Sequence, residues 1–247
     1  MISIITPCKN AEKTIRRTIE SVINQGLDDY EYIIIDGMSD DRTIDIVKEY
    51  MTINDRISLV SEHDNSMTEA LNKGMRRAKG EWVCSINADD EYLPGTLNKV
   101  IERMRETRCD LLIAASNNIK NEKLSFVTYP RFMKNRFLLC ILDSSVPECS
   151  SFFKRSCIEE LGYFDESIKY TQDYEMYIRM AYKGYKIEYL DEVVSNFYLS
   201  NDQYSTKLAK PMFRESLRYN KHKVLFWILK KTHINNKVKQ VCGWVIK

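Results

Sequence analysis

The chain has 247 residues, 44% of them apolar, 11% aromatic and 29% charged, with only 8 Gly and 5 Pro. That balance supplies a sizeable core and excludes disordered, low-complexity and collagen-like classes. The net charge of +2 hides an asymmetry: eight of the 37 basic residues and none of the 35 acidic ones lie in 216–247, which leaves 1–215 at −6.

The first half alternates strand and helix. Residues 2–6 form an apolar run that Pro7 ends, and predict a strand. Residues 11–24 carry Ile15, Ile19, Val22 and Ile23 at helical spacing before Gly26 stops them. A β-branched strand is predicted over 32–35, ending at Asp36, then a helix over 43–51 with Ile44, Val47 and Met51. A third strand falls at 57–60. Ser66 and Glu69 have the spacing of a capping box and open a helix whose Met67, Ala70, Leu71, Met75 and Ala78 share a face. Residues 82–86 predict a fourth strand that runs into Asn87-Ala88-Asp89-Asp90. Pro94 suits the first position of the next helix, and 111–115 predict a fifth strand.

Beyond residue 117 the pattern loosens. A polar loop is expected over 117–123, a strand over 151–154 and a helical turn over 158–161. An amphipathic helix covers 171–183, strands cover 186–189 and 193–198, and helix is expected from about 207 onward. The alternation implies an α/β fold with a mostly parallel sheet flanked by helices, followed by a C-terminal helical extension. Sites in such sheets lie at the carboxyl ends of the strands. The acidic residues Asp36, Glu62, Asp89 and Asp90 stand there.

The longest apolar run, 137–142, is far below the roughly 20 residues that cross a bilayer, and no secretory signal is legible at the start. Seven cysteines, an odd number without a C-x-x-C pair, argue against a disulfide framework or structural zinc and favour a reducing cytosol. Three scattered histidines leave acid–base chemistry to Asp and Glu. The tail over 216–247 mixes Lys and Arg with Trp227, Phe226, Leu225 and Trp244. It suits an anionic membrane surface or packing on the body equally well; the acidic body disfavours nucleic acid.

Individually the candidate residues have bland roles. One of Asp89 and Asp90 can cap a helix while the other is solvated, and Ser39, Asp40 or Asp41 can cap the helix at Thr43. Asp173 can simply complement the positive end of its own helix. Their sharper roles are oxygen ligands for a hard divalent ion and a general base.

The ordered set is more specific. It comprises Ile5-Thr6-Pro7-x-x-Asn10, Asp36-Gly37-x-Ser39-x-Asp41-x-Thr43, Ala70-Leu71-Asn72-Lys73-Gly74, Gly80-Glu81 and Asn87-Ala88-Asp89-Asp90. It continues with Phe152-Phe153-Lys154-Arg155, Gly162-x-Phe164-Asp165-Glu166 and Gln172-Asp173-Tyr174-Glu175. This series resembles glycosyltransferase family 2 with the GT-A (Rossmann-like) fold, and looks most like bacterial enzymes that build capsule, lipopolysaccharide or other surface polysaccharides.

The resemblance implies inverting transfer of a sugar from a UDP-, dTDP- or GDP-linked donor to a hydroxyl of a saccharide or lipid-linked saccharide, with Mn²⁺ or Mg²⁺. It puts Thr6, Pro7, Asp36 and Lys73 near the nucleotide, Asp89 near the ribose or sugar, Asp90 on the metal and Asp173 in the role of base. It divides the chain into a donor half (1–115), an acceptor half of the same domain (116–205) and the basic extension (206–247). The expected location is cytoplasmic, peripheral on the inner face of the membrane. Cys8-Lys9, Asn65-Ser66-Met67 and Glu148-Cys149-Ser150 depart from the family's usual segments.

Rival classes fit less well. A nucleotidyltransferase would carry a Gly-rich basic loop near the N-terminus, which 6–10 lack, and an oxidoreductase a G-x-G-x-x-G after the first strand. A catalytically silent sugar-nucleotide binder or scaffold sits poorly with the presence of Asp89, Asp90 and Asp173.

Overall fold

The computed structural model describes residues 1–130, 139, 147–199, 209–220 and 245–246. The first four long strands, β1 (Ile2–Cys8), β2 (Tyr30–Asp36), β3 (Ile57–Ser61) and β4 (Trp82–Ser85), pair in parallel in the order β4-β1-β2-β3. Helices α1 (Ile15–Ile23), α2 (Thr43–Met51) and α3 (Met67–Arg77) connect them. The chain then passes through a short β5 (Glu91–Tyr92) and α4 (Thr96–Thr107) into β6 (Leu111–Lys120) and β7 (Lys123–Thr128). After a 3-10 turn (Glu148–Ser150) come β8 (Ser151–Lys154), α5 (Arg155–Glu160), α6 (Gln172–Lys183), β9 (Ile187–Tyr198), α7 (Ala209–Tyr219) and β10 (Val245–Ile246).

The sheet is mixed. Beyond β4 it continues antiparallel through β8 and β6 to β7, while β9 runs parallel to β6 and antiparallel to β5. The expected parallel arrangement is thus confined largely to the first half. One face of the sheet is covered by α3, α5 and α6, whose Leu71, Ile158, Met176 and Tyr177 meet Ile5, Ile33 and Phe153. The other is covered by α1, α2 and α4, whose Ile19, Val47 and Val100 meet Ile4, Ile34 and Phe152. Both layers mix residues from before and after residue 115. Cys8, Cys84, Cys109, Cys149 and Cys157 are all buried and unbridged.

Several sequence expectations need correction. Residues 117–120 are strand, not loop: β6 turns into β7 through Asn121 and Glu122, both at positive φ (51° and 59°). A two-residue hairpin needs that twist, and Asn-Gly usually signals it; a Glu in the second position hid it. The helix expected from Pro94 starts at Thr96, because Gly95 takes a left-handed conformation (φ 69°) just before it. Two expected strands near the end merge into β9, with register irregularities against Ala114, Ala115 and Ser116.

The extension is not helical throughout, since Val245–Ile246 pairs with β7. Of the apolar run 137–142 only Leu139 is described, and it is buried. Residues 221–244, which carry most of the basic tail, also lie outside the described residues. No described helix is long and apolar enough to cross a membrane.

Candidate active site

The carboxyl ends of the parallel strands form one rim. Strand register sets Cys8 beside Asp36 and Asp36 beside Ser61. Asp36 is fully buried. Its Oδ2 accepts from the Ser39 backbone N–H (3.0 Å) and the Ser61 hydroxyl (2.7 Å), and its Oδ1 accepts from the Ser39 hydroxyl. The loop after β1 is laced to the loop after β2: Asn10 N–H donates to Ser39 Oγ, Ala11 N–H to Thr43 Oγ1 and Glu12 N–H to Asp41 Oδ2. Asp41 also accepts from Thr43 N–H (2.9 Å), but the N-cap position of α2 is Arg42, without a side-chain cap bond, so none of Ser39, Asp40 or Asp41 is the cap residue expected. Thr6 is buried and its hydroxyl meets Tyr32 OH at 2.9 Å; Pro7 is buried too.

Lys73 projects from α3 into an acidic cage. Its ammonium lies 2.5 Å from Asp64, 3.2 Å from Glu69 and 3.5 Å from Glu62, and donates to the His63 carbonyl. Desolvation works against its charge, but the hydrogen bonds to Asp64 and Glu69 outweigh it and raise the pKa above the ordinary lysine value. Half of the expected capping box forms: Glu69 N–H donates to Ser66 Oγ (3.1 Å), but the Glu69 carboxylate accepts from the Asn65 backbone N–H (2.9 Å) rather than from Ser66.

The acidic pair follows β4. Asp90 is fully buried, with Oδ1 accepting from Tyr198 N–H (2.9 Å) and Oδ2 from the Asn87 amide (3.3 Å). Burial first, and the neighbouring Asp89 charge second, push its pKa well above the usual carboxylate range. Asp89 is half-buried. Helix α1 holds the backbone of both: Arg17 donates to the Asp89 carbonyl and Thr18 to the Asp90 carbonyl, each at 2.7 Å. The Arg17 guanidinium also lies 3.6 Å from the centroid of the Tyr198 ring. Nothing in the spacing of α1 announced these contacts, which span 72 residues.

Asp173 lies in the first turn of α6 and is half-buried, with Oδ1 accepting from Tyr174 N–H (2.7 Å). Glu175 is instead held by Arg179 through two contacts at 3.0 and 2.7 Å. The buried Glu148 links α6 to the end of β4, the strand that runs into the acidic pair. Its Oε1 accepts from Ser85, the last residue of β4, and its Oε2 from Gln172 (3.3 Å), the neighbour of Asp173. Burial raises the pKa of Glu148, against those two hydrogen bonds. The buried Cys149 thiol is pushed up by desolvation and then by the charges of Asp90, Glu148 and Asp89, so one thiol feels all three carboxylates. Tyr177, one turn along α6, is pushed up by burial and then by Asp173.

The site suits a hard divalent ion in part. Among the described residues no group of three or more His, Cys, Asp or Glu stands ready to hold a metal. Such an ion commonly takes one or two carboxylates and fills its shell with water and substrate phosphates. The Asp89–Asp90 pair meets that requirement, and Asp89 is its more exposed member.

This architecture is the GT-A fold. The chain superposes on Staphylococcus aureus TarS residues 1–349 in complex with UDP-GlcNAc with a TM-score of 0.68, at 18% identity over 91% of this chain and 69% of that one. It superposes on the mannosyltransferase PcManGT of Pyrobaculum calidifontis, solved with GDP-Man and Mn²⁺, with a TM-score of 0.70, at 19% identity over 97% and 75% of the two chains.

Residues 3–162 match the Glycosyl transferase family 2 profile, and the chain belongs to that family. It is 28% identical to the putative teichuronic acid biosynthesis glycosyltransferase TuaG of Bacillus subtilis, over 85% of this chain and 83% of that protein. It is 24% identical to the chondroitin synthase of Escherichia coli over 84% of this chain, which spans 30% of that protein.

Proposed function

We propose that the chain is an inverting glycosyltransferase that moves a sugar from a nucleotide-diphosphate donor to a hydroxyl of a saccharide acceptor carried on a lipid, during surface polysaccharide synthesis. The observation that carries this reading is the Glu148 bridge. It joins the end of β4, which leads into Asp89-Asp90, to the first residue of α6, which precedes Asp173. One buried side chain thereby ties the segment that leads into the acidic pair to the segment that leads into the separate carboxylate. TuaG and the chondroitin synthase, by their names, make polysaccharides, and TarS and PcManGT are solved with nucleotide sugars.

In this reading Asp36, with the loops tied to it, frames the nucleotide side of the rim, and the Lys73 cage borders it. Thr6 and Pro7 contribute as the buried floor beneath. A bound Mn²⁺ or Mg²⁺ would offset the charge that develops on the leaving diphosphate. Asp89, the more exposed of the pair, would be the member that holds it. Asp90, which the resemblance makes the first ligand, stands behind with its oxygens on Tyr198 and Asn87. Asp173 takes the acceptor's proton as the hydroxyl attacks from the opposite face. Inversion needs no second carboxylate as nucleophile.

The enzyme works in the cytoplasm on the inner face of the membrane, with the basic segment beyond α7 against anionic lipid. Calorimetry of UDP, dTDP and GDP with Mn²⁺ tests the donor side: one diphosphate binds, and Asp89→Ala abolishes the metal-dependent part. Unaltered binding in Asp89→Ala would remove the acidic pair from the reading. Flotation with anionic vesicles tests the location, and a chain that stays with the soluble fraction refutes it.

A further inference from the structure

The first turn of α6 is fixed from outside the helix. Thr171 is its N-cap residue, a type whose hydroxyl normally accepts from the helix's own free N–H groups. Here it makes no such bond. Its hydroxyl instead donates to Glu215 Oε2 at 2.9 Å. The same carboxylate accepts from three successive backbone N–H groups: Lys169 on Oε1 (2.8 Å), then Tyr170 (2.9 Å) and Thr171 (3.0 Å) on Oε2. Glu215 belongs to α7, is only 8% exposed and lies 44 residues along the chain from Thr171.

Two further contacts join the same helices. Tyr219 OH donates to the Thr171 carbonyl (3.3 Å), and the Tyr219 ring meets Tyr174 edge-on with centroids 6.1 Å apart. Four donors on one buried carboxylate are more than a helix needs for docking. They immobilise the three residues that immediately precede Gln172-Asp173.

We propose that Glu215 is a positioning residue for Asp173: by gripping 169–171 it aims the first turn of α6, so that α7 belongs to the catalytic apparatus. The inference rests on the reading of Asp173 as base. It makes the start of the C-terminal extension a requirement for turnover, independent of any role in docking. Nucleotide binding, served by the loops after β1–β4, does not depend on it.

The test uses the full chain. Turnover is followed as release of the nucleoside diphosphate from its UDP-, dTDP- or GDP-linked sugar in the presence of acceptor, and donor-side integrity by calorimetry of that diphosphate with Mn²⁺. Glu215→Gln replaces an acceptor oxygen with an amide that faces N–H donors. It should lower kcat by about tenfold or more, the effect of losing a charge-assisted hydrogen bond. Donor KM and diphosphate affinity should stay within about twofold, since no donor contact is lost. Amide exchange of 169–173 should accelerate, and Glu215→Asp, which keeps the charge, should recover part of kcat.

Unchanged kcat in a folded Glu215→Gln protein, unchanged exchange at 169–173, or a parallel fall of kcat and diphosphate affinity would each overturn the proposal. If Glu215→Gln does not fold, Thr171→Val removes one donor alone and should still lower kcat by about threefold; no drop there overturns it equally. Asp173→Asn, run in parallel, separates the two claims: full turnover in that variant refutes the base assignment, whereas its loss beside an unaffected Glu215→Gln refutes only the clamp.

Discussion

Asp36 and Asp173 are both carboxylates presented at element ends, yet they are held by different means. Asp36 ends a strand in a regular parallel sheet, and its partners come from its own turn and from the neighbouring strand in register, Ser39 and Ser61. Asp173 starts a helix whose entry is fixed by Glu148 from the turn before β8 and by Glu215 from α7. Asp36 is thus set by its own turn and strand neighbour, while Asp90, after β4 in the same parallel half, already leans on Tyr198 from β9. The mixed half relies on contacts between distant segments, so a single remote change there should reach the chemistry.

The sharpest way to break this contrast is Asp173→Asn. General-base removal costs about 10²- to 10⁴-fold; kcat should fall by that order while diphosphate binding persists. Equal loss of both would mean that the two halves are not separable.

Next in size is Gly74→Ala. A Cβ there would collide with Ile5 Cγ2 and press on Ile5 Cγ1 (3.1 Å) and Ile35 Cγ1 (3.3 Å), on the closely packed face between α3 and the parallel strands. Overpacking of this kind costs about 1–3 kcal/mol, read as a lowered urea midpoint. Because α6 is not involved, the Asp173-dependent step should survive in the folded fraction.

Ser61→Ala sharpens the donor side. It removes one of the two donors on the buried Asp36 Oδ2, at a cost of roughly 1–3 kcal/mol divided between stability and binding. Diphosphate affinity should fall, and turnover at saturating donor should change little.

The smallest effect concerns pH. Burial raises the folded pKa of Glu148 above its ordinary value of 4.5. Between those two values the folded chain keeps a proton that the unfolded chain has lost, so stability declines as pH rises through that window. Glu148→Gln removes this contribution. As pH rises above 4.5 its Tm should therefore fall less than that of the parent, and an identical slope in both would show that Glu148 does not titrate with a raised pKa.

The same contrast explains what the sequence disclosed. Helical spacing located α1 to α3, each of which buries one face, and apolar runs located β1, β2 and β4, which are buried on both faces. Strand ends then pointed to Asp36, Asp89 and Asp90, and the Ser66–Glu69 spacing to a real cap. The β6–β7 hairpin escaped, since Asn121-Glu122 lacks the glycine that normally marks such a turn. Arg17, Thr18, Glu148 and Glu215 escaped for a deeper reason. Their partners lie tens of residues away, and no local pattern encodes a long-range hydrogen bond. The burial of Asp90 was equally hidden, because it depends on β9 arriving with Tyr198.

The five buried thiols offer a practical handle. Desolvation pushes Cys84 up to about 12 and, with help from Asp110, Cys157 to about 11, so neither forms an appreciable nucleophile at neutral pH while the chain is folded. Cys84 lies at the centre of the sheet and Cys157 on α5 at its flank. Alkylation rates followed site by site by mass spectrometry would then act as clocks in different layers, separating a peripheral breathing motion from whole-molecule opening.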